Sequence, residues 1–384
     1  MKKLLITLLV VCLLPISRVQ ALDNDVTPNA KSAILIEANS RQILYDKNAE
    51  EKLYPASTTK IMTMILMFEA LRNKKISFDD EITTSKYAAS MGGSQVYLEV
   101  GESLSLKDMF KSIAIASAND ASVAVAEHIA GSINKFVEMM NDKAKKLGLK
   151  NTHFKNATGL HDPDHYTCAH DLAIMAAYLI EIGGEDLFAV TSLYDSYIRE
   201  DTKQSFWLVN TNKLLKLYNG VDGLKTGYTK EAGYCLVTTA QRDGQRIIGV
   251  LMKETAPKTR NEEMCSLLDY GFNNYKQVTI FKKDTLIEQH LVDKMDNLTI
   301  DVKCKKDIVY TKAKSADAKV STKVNYKENF LPVKQGDVIG TLDVIVDGKT
   351  IATYDVYSDT NASKSTYLSK TIKTLKYLFF PLIY

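Results

Sequence analysis

Pro55-Ala56-Ser57-Thr58-Thr59-Lys60 opens a stretch in which Ile61, Met64, Ile65, Phe68 and Leu71 recur at steps of three and four. That period is helical, so the serine and the lysine sit at the mouth of an apolar helix. Residues three apart on a helix share a face, which lets Lys60 reach the Ser57 hydroxyl. A serine hydroxyl is a poor nucleophile until a base takes its proton. A lysine can be that base only if its pKa falls from about 10.4 towards neutrality, through burial or a second cation. The helix N-terminus also directs N–H groups at an oxyanion formed near Ser57. The spacing alone is weak. Ser132-Ile133-Asn134-Lys135 matches it too, and after Gly131 it reads as a helix N-cap, which is also what Ser57 would be in isolation.

Outward from this helix, the pattern of elements sets the fold class. Ala33-Ile34-Leu35-Ile36 and Gln42-Ile43-Leu44-Tyr45 read as a hairpin whose polar turn is residues 37–41. Helical periods then dominate to about residue 190, over 106–116, 121–129, 136–147 and 171–182. Strand signals return at 234–240 and 246–251 around the turn Arg242-Asp243-Gly244-Gln245, and 261–270 reads as a helix. Strands, a helical insertion and strands again predict an α+β domain, its antiparallel sheet drawn from both ends of residues 22–277. From 278 to 362 the character is all-β. Leu298, Ile300 and Val302 alternate with polar residues, and Asp347-Gly348 marks a hairpin between two apolar runs. No acid/base or nucleophile cluster falls in this second module, and no repeat of fixed period is visible.

The two ends are different again. Lys2 and Lys3, the apolar run from Leu4 to Leu14, and Val19-Gln20-Ala21 read as a secretory signal peptide over residues 1–21, too short to span a bilayer comfortably. That segment holds Lys2, Lys3 and Arg18 and no acid, so its removal takes the formal charge from +3 to zero. A neutral chain without a basic block has no electrostatic reason to bind nucleic acid. Cys12 leaves with it, and the remaining Cys168, Cys235, Cys265 and Cys304 are scattered and read as free thiols. At the other end, Leu368, Ile372, Leu375 and Phe379 share one helical face, with Lys370, Lys373 and Lys376 around it, no acid after Asp359, and Pro381 to stop the helix. Residues 363–384 therefore read as an amphipathic helix lying in a membrane interface.

Two more elements raise the standing of Ser57. Ser117-Ala118-Asn119 lies between helical stretches, where Ser117 can relay a proton to a leaving group and Asn119 can orient a substrate amide. Lys225-Thr226-Gly227 precedes the strand-like Tyr234 region. Lys225 and Thr226 can hold a carboxylate, and Lys225 supplies the second cation that lowers the Lys60 pKa. Ser-x-Asn recurs at Ser132-Ile133-Asn134, so order and context carry the reading rather than any single triplet.

Together these residues resemble the serine D-alanyl-D-alanine carboxypeptidases, the low-molecular-mass penicillin-binding proteins. The likeness extends to Gly92-Gly93-Ser94-Gln95, Asn156-Ala157-Thr158-Gly159-Leu160, Asp162-Pro163-Asp164-His165-Tyr166 and Asp222-Gly223-Leu224-Lys225-Thr226-Gly227, covering about residues 30 to 275. The resemblance implies a β-lactamase-like catalytic domain followed by a small β domain. It implies Ser57 as the acylated nucleophile, Lys60 as its proton acceptor, and Ser117 with Asn119 as the second catalytic element. Lys225 and Thr226 would receive the substrate's terminal carboxylate, Gly227 would stand with them among the substrate-binding residues, and the N–H groups of Ser57 and Tyr228 would form the oxyanion hole. The implied substrates are peptidoglycan stem pentapeptides, with β-lactams as acylating ligands and no metal or organic cofactor.

Three other readings compete. His161, Asp162, Asp164, His165, Cys168 and His170 crowd one segment, but without the spacing of a zinc protease. A class A β-lactamase shares the three motifs but needs a further glutamate, which has no evident place here. A penicillin-binding module without turnover would keep the fold alone.

Overall fold

The structure, a computed structural model, describes residues 25–200, 202–293, 298–363 and 371. The N-terminal hairpin forms as Ser32–Glu37 paired with Ile43–Lys47. Ser32–Glu37 also pairs with Gln245–Glu254, so both ends of the segment close one antiparallel sheet. Its order is Ile43–Lys47, Ser32–Glu37, Gln245–Glu254, Gly233–Arg242, Val221–Thr229. The turn at Asp243-Gly244 takes positive φ at both positions, 48° and 81°, as a two-residue hairpin demands. Val221–Thr229 is an edge strand and carries Lys225-Thr226-Gly227. Its two glycines and its charges hide it from a reading based on strand propensity.

Both faces of the sheet are covered. Ile34, Ile36, Ile248 and Val250 join the core of the helical insertion, while Leu35, Ile247 and Leu251 pack with Met264, Leu267 and Leu268 of the helix Pro257–Asn274. Burial on two sides is why Ala33-Ile34-Leu35-Ile36 is an unbroken apolar run rather than an alternating one.

Within the insertion, Lys60–Arg72 is the central helix. Residues 60–68 are all buried, so its three-four spacing understates a helix enclosed on nearly every side. Leu106–Ala114, Asn119–Ala130, Ile133–Lys146 and Ala169–Thr191 pack around it. The last runs nine residues past the expected end at 182, bending at Gly184, where φ is 51° and ψ −136°. Ser132 caps Ile133–Lys146, its Oγ accepting the Lys135 N–H at 3.4 Å. Cys168 caps Ala169–Thr191 through sulfur, accepting the Asp171 N–H at 3.3 Å. Two short ribbons, Glu81–Thr83 with Ser103–Ser105 and Asp195–Ile198 with Phe206–Val209, interrupt the helices. Strands this short leave no readable period.

Pro257–Asn274 passes directly into the strand Tyr275–Phe281, which pairs with Ile308–Ala313. A second antiparallel sheet follows, in the order Leu286–Asp293, Leu298–Lys303, Lys349–Ser358, Val338–Val346, Val320–Tyr326. Its own core includes Ile300, Val302, Leu342, Val344 and Val356. Asp347-Gly348 turns its hairpin with φ of 48° and 79°. The expected signal peptide lies outside the described residues, as does the expected amphipathic tail apart from Ser363, at its start, and Thr371. Among the described residues no helix is long and apolar enough to cross a membrane.

Candidate active site

Ala56–Thr59 forms one 3-10 turn ahead of Lys60–Arg72. Ser57 does not cap it: Pro55 holds that position without a side-chain bond. Instead the Ser57 hydroxyl accepts from Lys60 Nζ at 3.1 Å. Lys60 has no exposed surface, because its helix runs through the interior. Its Nζ also donates to Asn119 Oδ1 and to the Thr158 carbonyl, both at 2.7 Å. Each of the three donors of an ammonium thus has an acceptor, and none of the acceptors is charged.

The electrostatics follow from this burial. Desolvation first, and the positive charge of Lys225 second, push the Lys60 pKa well below the usual lysine value, with the Asp120 carboxylate opposing them. Asp120 does not pair with Lys60; its oxygens accept the N–H groups of Val96, Leu98 and Ala121 at 3.1, 3.1 and 2.9 Å. Lys225 is itself buried and pushed down to about 7, by desolvation and then by the Arg260 guanidinium. A buried amine beside a hydroxyl, with a second cation behind it, is an arrangement that favours the neutral amine, the form able to accept the hydroxyl proton.

Ser117 and Asn119 stand at the start of Asn119–Ala130, both buried. Ser117 has a φ of 65°, an uncommon conformation for a residue with a Cβ, at the mouth of the cleft. Asn119 is held from two sides, its N–H donating to the Ser94 carbonyl and its Nδ2 to the Gly92 carbonyl, each at 2.7 Å. The edge strand closes the opposite wall. A Cβ at Gly227 would lie 2.9 Å from the Pro55 carbonyl oxygen and 3.1 Å from the nitrogens of Ser57 and Thr58, so strand and turn meet backbone to backbone. Thr226 Oγ1 donates to Thr211 Oγ1 at 2.7 Å, and Lys225 Nζ donates to the Thr226 carbonyl at 3.1 Å. Ser57, Ser117, Thr226, Gly227 and Tyr228 all line one cleft of about 520 Å³, with Lys60, Asn119 and Lys225 buried behind its wall. A hollow of about 600 Å³ beside Phe68 and Lys74 is larger but lies away from these residues. Chemistry, rather than volume, marks the cleft at Ser57.

Three contributors were given no role in the sequence analysis, although two of them lie in the quoted stretch Asn156-Ala157-Thr158-Gly159-Leu160. Thr158 holds Lys60 by its carbonyl, from a loop set by Asn156, whose Oδ1 accepts the N–H groups of Thr158 and Gly159 at 3.1 and 2.7 Å. Gly159, at φ 87°, lets that loop touch Ala56, where a Cβ would fall 1.8 Å from the carbonyl oxygen. Arg260 reaches the cleft from a helix whose start was read four residues late; Pro257 at its first turn was the available signal.

The His/Cys/Asp segment has a different place. His165 Nδ1 accepts the Lys155 N–H at 3.2 Å, which leaves Nε2 protonated to donate to Thr59 Oγ1 at 2.8 Å; Thr59 in turn donates to the Ala56 carbonyl. Burial lowers His165 to about 4, so it is neutral and braces the Ser57 turn. Among the described residues no three His, Cys, Asp or Glu side chains are grouped to hold a metal.

Comparisons with known proteins agree along the chain. Residues 18–256 match the D-alanyl-D-alanine carboxypeptidase peptidase family, and residues 275–364 match the C-terminal domain of penicillin-binding protein 5. D-alanyl-D-alanine carboxypeptidase DacF of Bacillus subtilis (strain 168) is 44% identical over 354 residues, which is 92% of this chain and 90% of that protein. The crystal structure of penicillin-binding protein 5 from Haemophilus influenzae superposes with a TM-score of 0.73 at 31% identity, over 88% of this chain and 98% of that one. Penicillin-binding protein D2 of Listeria monocytogenes, solved in an ampicillin-bound form, aligns with a TM-score of 0.57 at 30% identity, over 64% of this chain and 98% of its own. A family match over more than half of the chain, and a relative this similar along nearly its whole length, place this protein among the serine-type D-alanyl-D-alanine carboxypeptidases, a family of penicillin-binding proteins.

Proposed function

We propose that the enzyme removes the terminal D-alanine from peptidoglycan stem pentapeptides through an acyl-enzyme on Ser57. Neutral Lys60 takes the Ser57 proton as Oγ attacks the penultimate D-alanine carbonyl. The N–H groups of Ser57 and Tyr228 receive the oxyanion. Ser117 gives its proton to the departing D-alanine nitrogen as the peptide bond breaks and takes in its place the proton held by Lys60, which leaves Lys60 neutral again. Water then attacks the ester as it loses a proton to Lys60, and that proton passes to Oγ as the ester bond breaks and Ser57 is freed. Lys225 and Thr226 bind the terminal carboxylate, with Arg260 adding positive charge beside them. Asn119 keeps Lys60 aimed at Ser57 and offers its amide to the substrate backbone. This chemistry belongs to residues 22–277, and 278–362 form a separate β domain. The carrying observation is the Lys60–Ser57 contact at 3.1 Å, in a site whose burial and neighbouring cation favour a neutral amine.

The same reading places the enzyme outside the cytoplasm, exported by residues 1–21 and held at the membrane surface by residues 363–384. The charge and apolar patterns of those two segments support this. β-Lactams would acylate Ser57 in the manner of the substrate, in keeping with the ampicillin-bound Listeria neighbour. The test is labelling of purified protein with a fluorescent penicillin beside D-alanine release from a pentapeptide. Ser57→Ala should abolish both, while Ser132→Ala, at a helix cap, should leave both intact. Undiminished labelling of the Ser57 variant would overturn the mechanism.

A further inference from the structure

The two substrate anchors proposed above lie on one strand, and two points give a direction. With the carboxylate at Lys225 and Thr226 and the scissile carbonyl at the Tyr228 N–H, the acyl portion of the peptide continues past Tyr228 towards Thr229 and the turn into Gly233–Arg242. A hollow of about 310 Å³ lies at that end, walled by Lys52, Tyr54, Tyr166, Glu231 and Lys253. Tyr54 precedes Ser57 by three residues and Glu231 follows Tyr228 by three, so the wall of the hollow draws on the two segments that carry Ser57 and Tyr228. The strand ends at Thr229, one residue past Tyr228, and Glu231 stands in the turn that leads back into Gly233–Arg242.

The charges in the hollow are specific. Lys31 and Glu51 neutralise each other at 2.5 Å. Glu231, Lys52 and Lys253 remain, all exposed and without an ion-pair partner among the described residues. Lys52 Nζ is held 4.7 Å from the centre of the Tyr166 ring. Lys253 owes its aim to a bulge. The pairing of Gly233–Arg242 with Gln245–Glu254 shifts register between Tyr234 and Leu236, and Lys253 takes a φ of 60° there. Bulges of this kind re-aim a side chain out of the regular alternation.

We propose that this hollow selects the side chain of the residue preceding D-alanyl-D-alanine, and favours one that ends in both an ammonium and a carboxylate. Glu231 receives the ammonium; Lys52 and Lys253 receive the carboxylate. The assignment rests on the carboxypeptidase reading above and deepens it.

Three acetylated peptides, X-D-Ala-D-Ala with X as alanine, lysine or 2,6-diaminopimelate, test it by kcat/KM for D-alanine release. Exposed ion pairs are each worth about two- to fivefold. The lysyl peptide should therefore exceed the alanyl one by that factor, and the diaminopimelyl peptide should exceed it by about tenfold. Glu231→Gln should erase the advantage of lysyl over alanyl. The double variant Lys52→Gln/Lys253→Gln should erase only that of diaminopimelyl over lysyl. Melting temperatures of the variants control for folding. Equal kcat/KM for the three peptides, or ratios unmoved by the substitutions, overturns the proposal. Failure of the underlying reading looks different: no D-alanine from any peptide.

Discussion

Gly227→Ala should disable acylation while leaving a folded enzyme. The added Cβ would sit 2.9 Å from the Pro55 carbonyl oxygen and 3.1 Å from the nitrogens of Ser57 and Thr58. Ordinary contacts of this kind begin at 3.4 Å, so strand and turn must part by 0.3 to 0.5 Å. Neither side yields easily. The strand is locked into the sheet by its pairing with Gly233–Arg242, and the turn is closed on Pro55 by Thr58, whose N–H and Oγ1 donate to its carbonyl at 3.2 and 2.7 Å. Overpacking of this degree destabilises by about 1–3 kcal/mol, which an enzyme of this size survives. The chemical effect should be larger in proportion. The groups forced apart carry the two N–H donors assigned to the oxyanion, and losing one such donor slows reaction by about 10²–10³. The second-order rate of labelling by a fluorescent penicillin, with the melting temperature beside it, is the assay. A folded variant acylated within threefold of the parent rate would refute the backbone contact, the oxyanion assignment, or both.

Lys225→Ala removes the cation next to Lys60, so Lys60 holds its proton to higher pH. The acidic limb of acylation should move up in pH and the KM for peptide should rise; an unmoved limb means the two amines do not communicate. His165 is neutral when folded, at about 4, against an ordinary 6.5, so the unfolded chain binds the extra proton between those values. Its contribution is therefore intact above pH ~6.5 and lost as pH falls towards ~4, by about 3 kcal/mol in all. His165→Gln should flatten the fall in denaturation midpoint between pH 7 and 4.5, and an equally steep fall in the variant would place the proton elsewhere. Deleting residues 364–384 should free the mature enzyme from liposomes in co-sedimentation without slowing D-alanine release. A truncated protein that still pelleted with lipid would move the anchor to another part of the chain.

The readable parts of the chain were those with a local cause. Periodicity found the helix after Ser57 and the hairpin at Ala33-Ile34-Leu35-Ile36, and Asp243-Gly244 and Asp347-Gly348 marked turns whose positive φ the structure displays. Boundaries failed where tertiary contacts extend an element past its apolar pattern, as at Ala169–Thr191. Val221–Thr229 was missed because a strand with two glycines and a buried lysine carries no strand period, although its Val221 and Leu224 join the two cores of the domain.

By itself the sequence determined which side chains can do chemistry and the order in which the chain meets them. Ser57 and Lys60 share a helical turn for a purely local reason, the period of the backbone. Only the tertiary structure decided the surroundings that lower the Lys60 pKa. Its burial comes from a helix enclosed by four others, its acceptors from Asn119 and the Thr158 carbonyl, 59 and 98 residues away, and its neighbouring cation from an edge strand. Desolvation and Coulomb interaction depend on distance through space, and separation along the chain does not encode it.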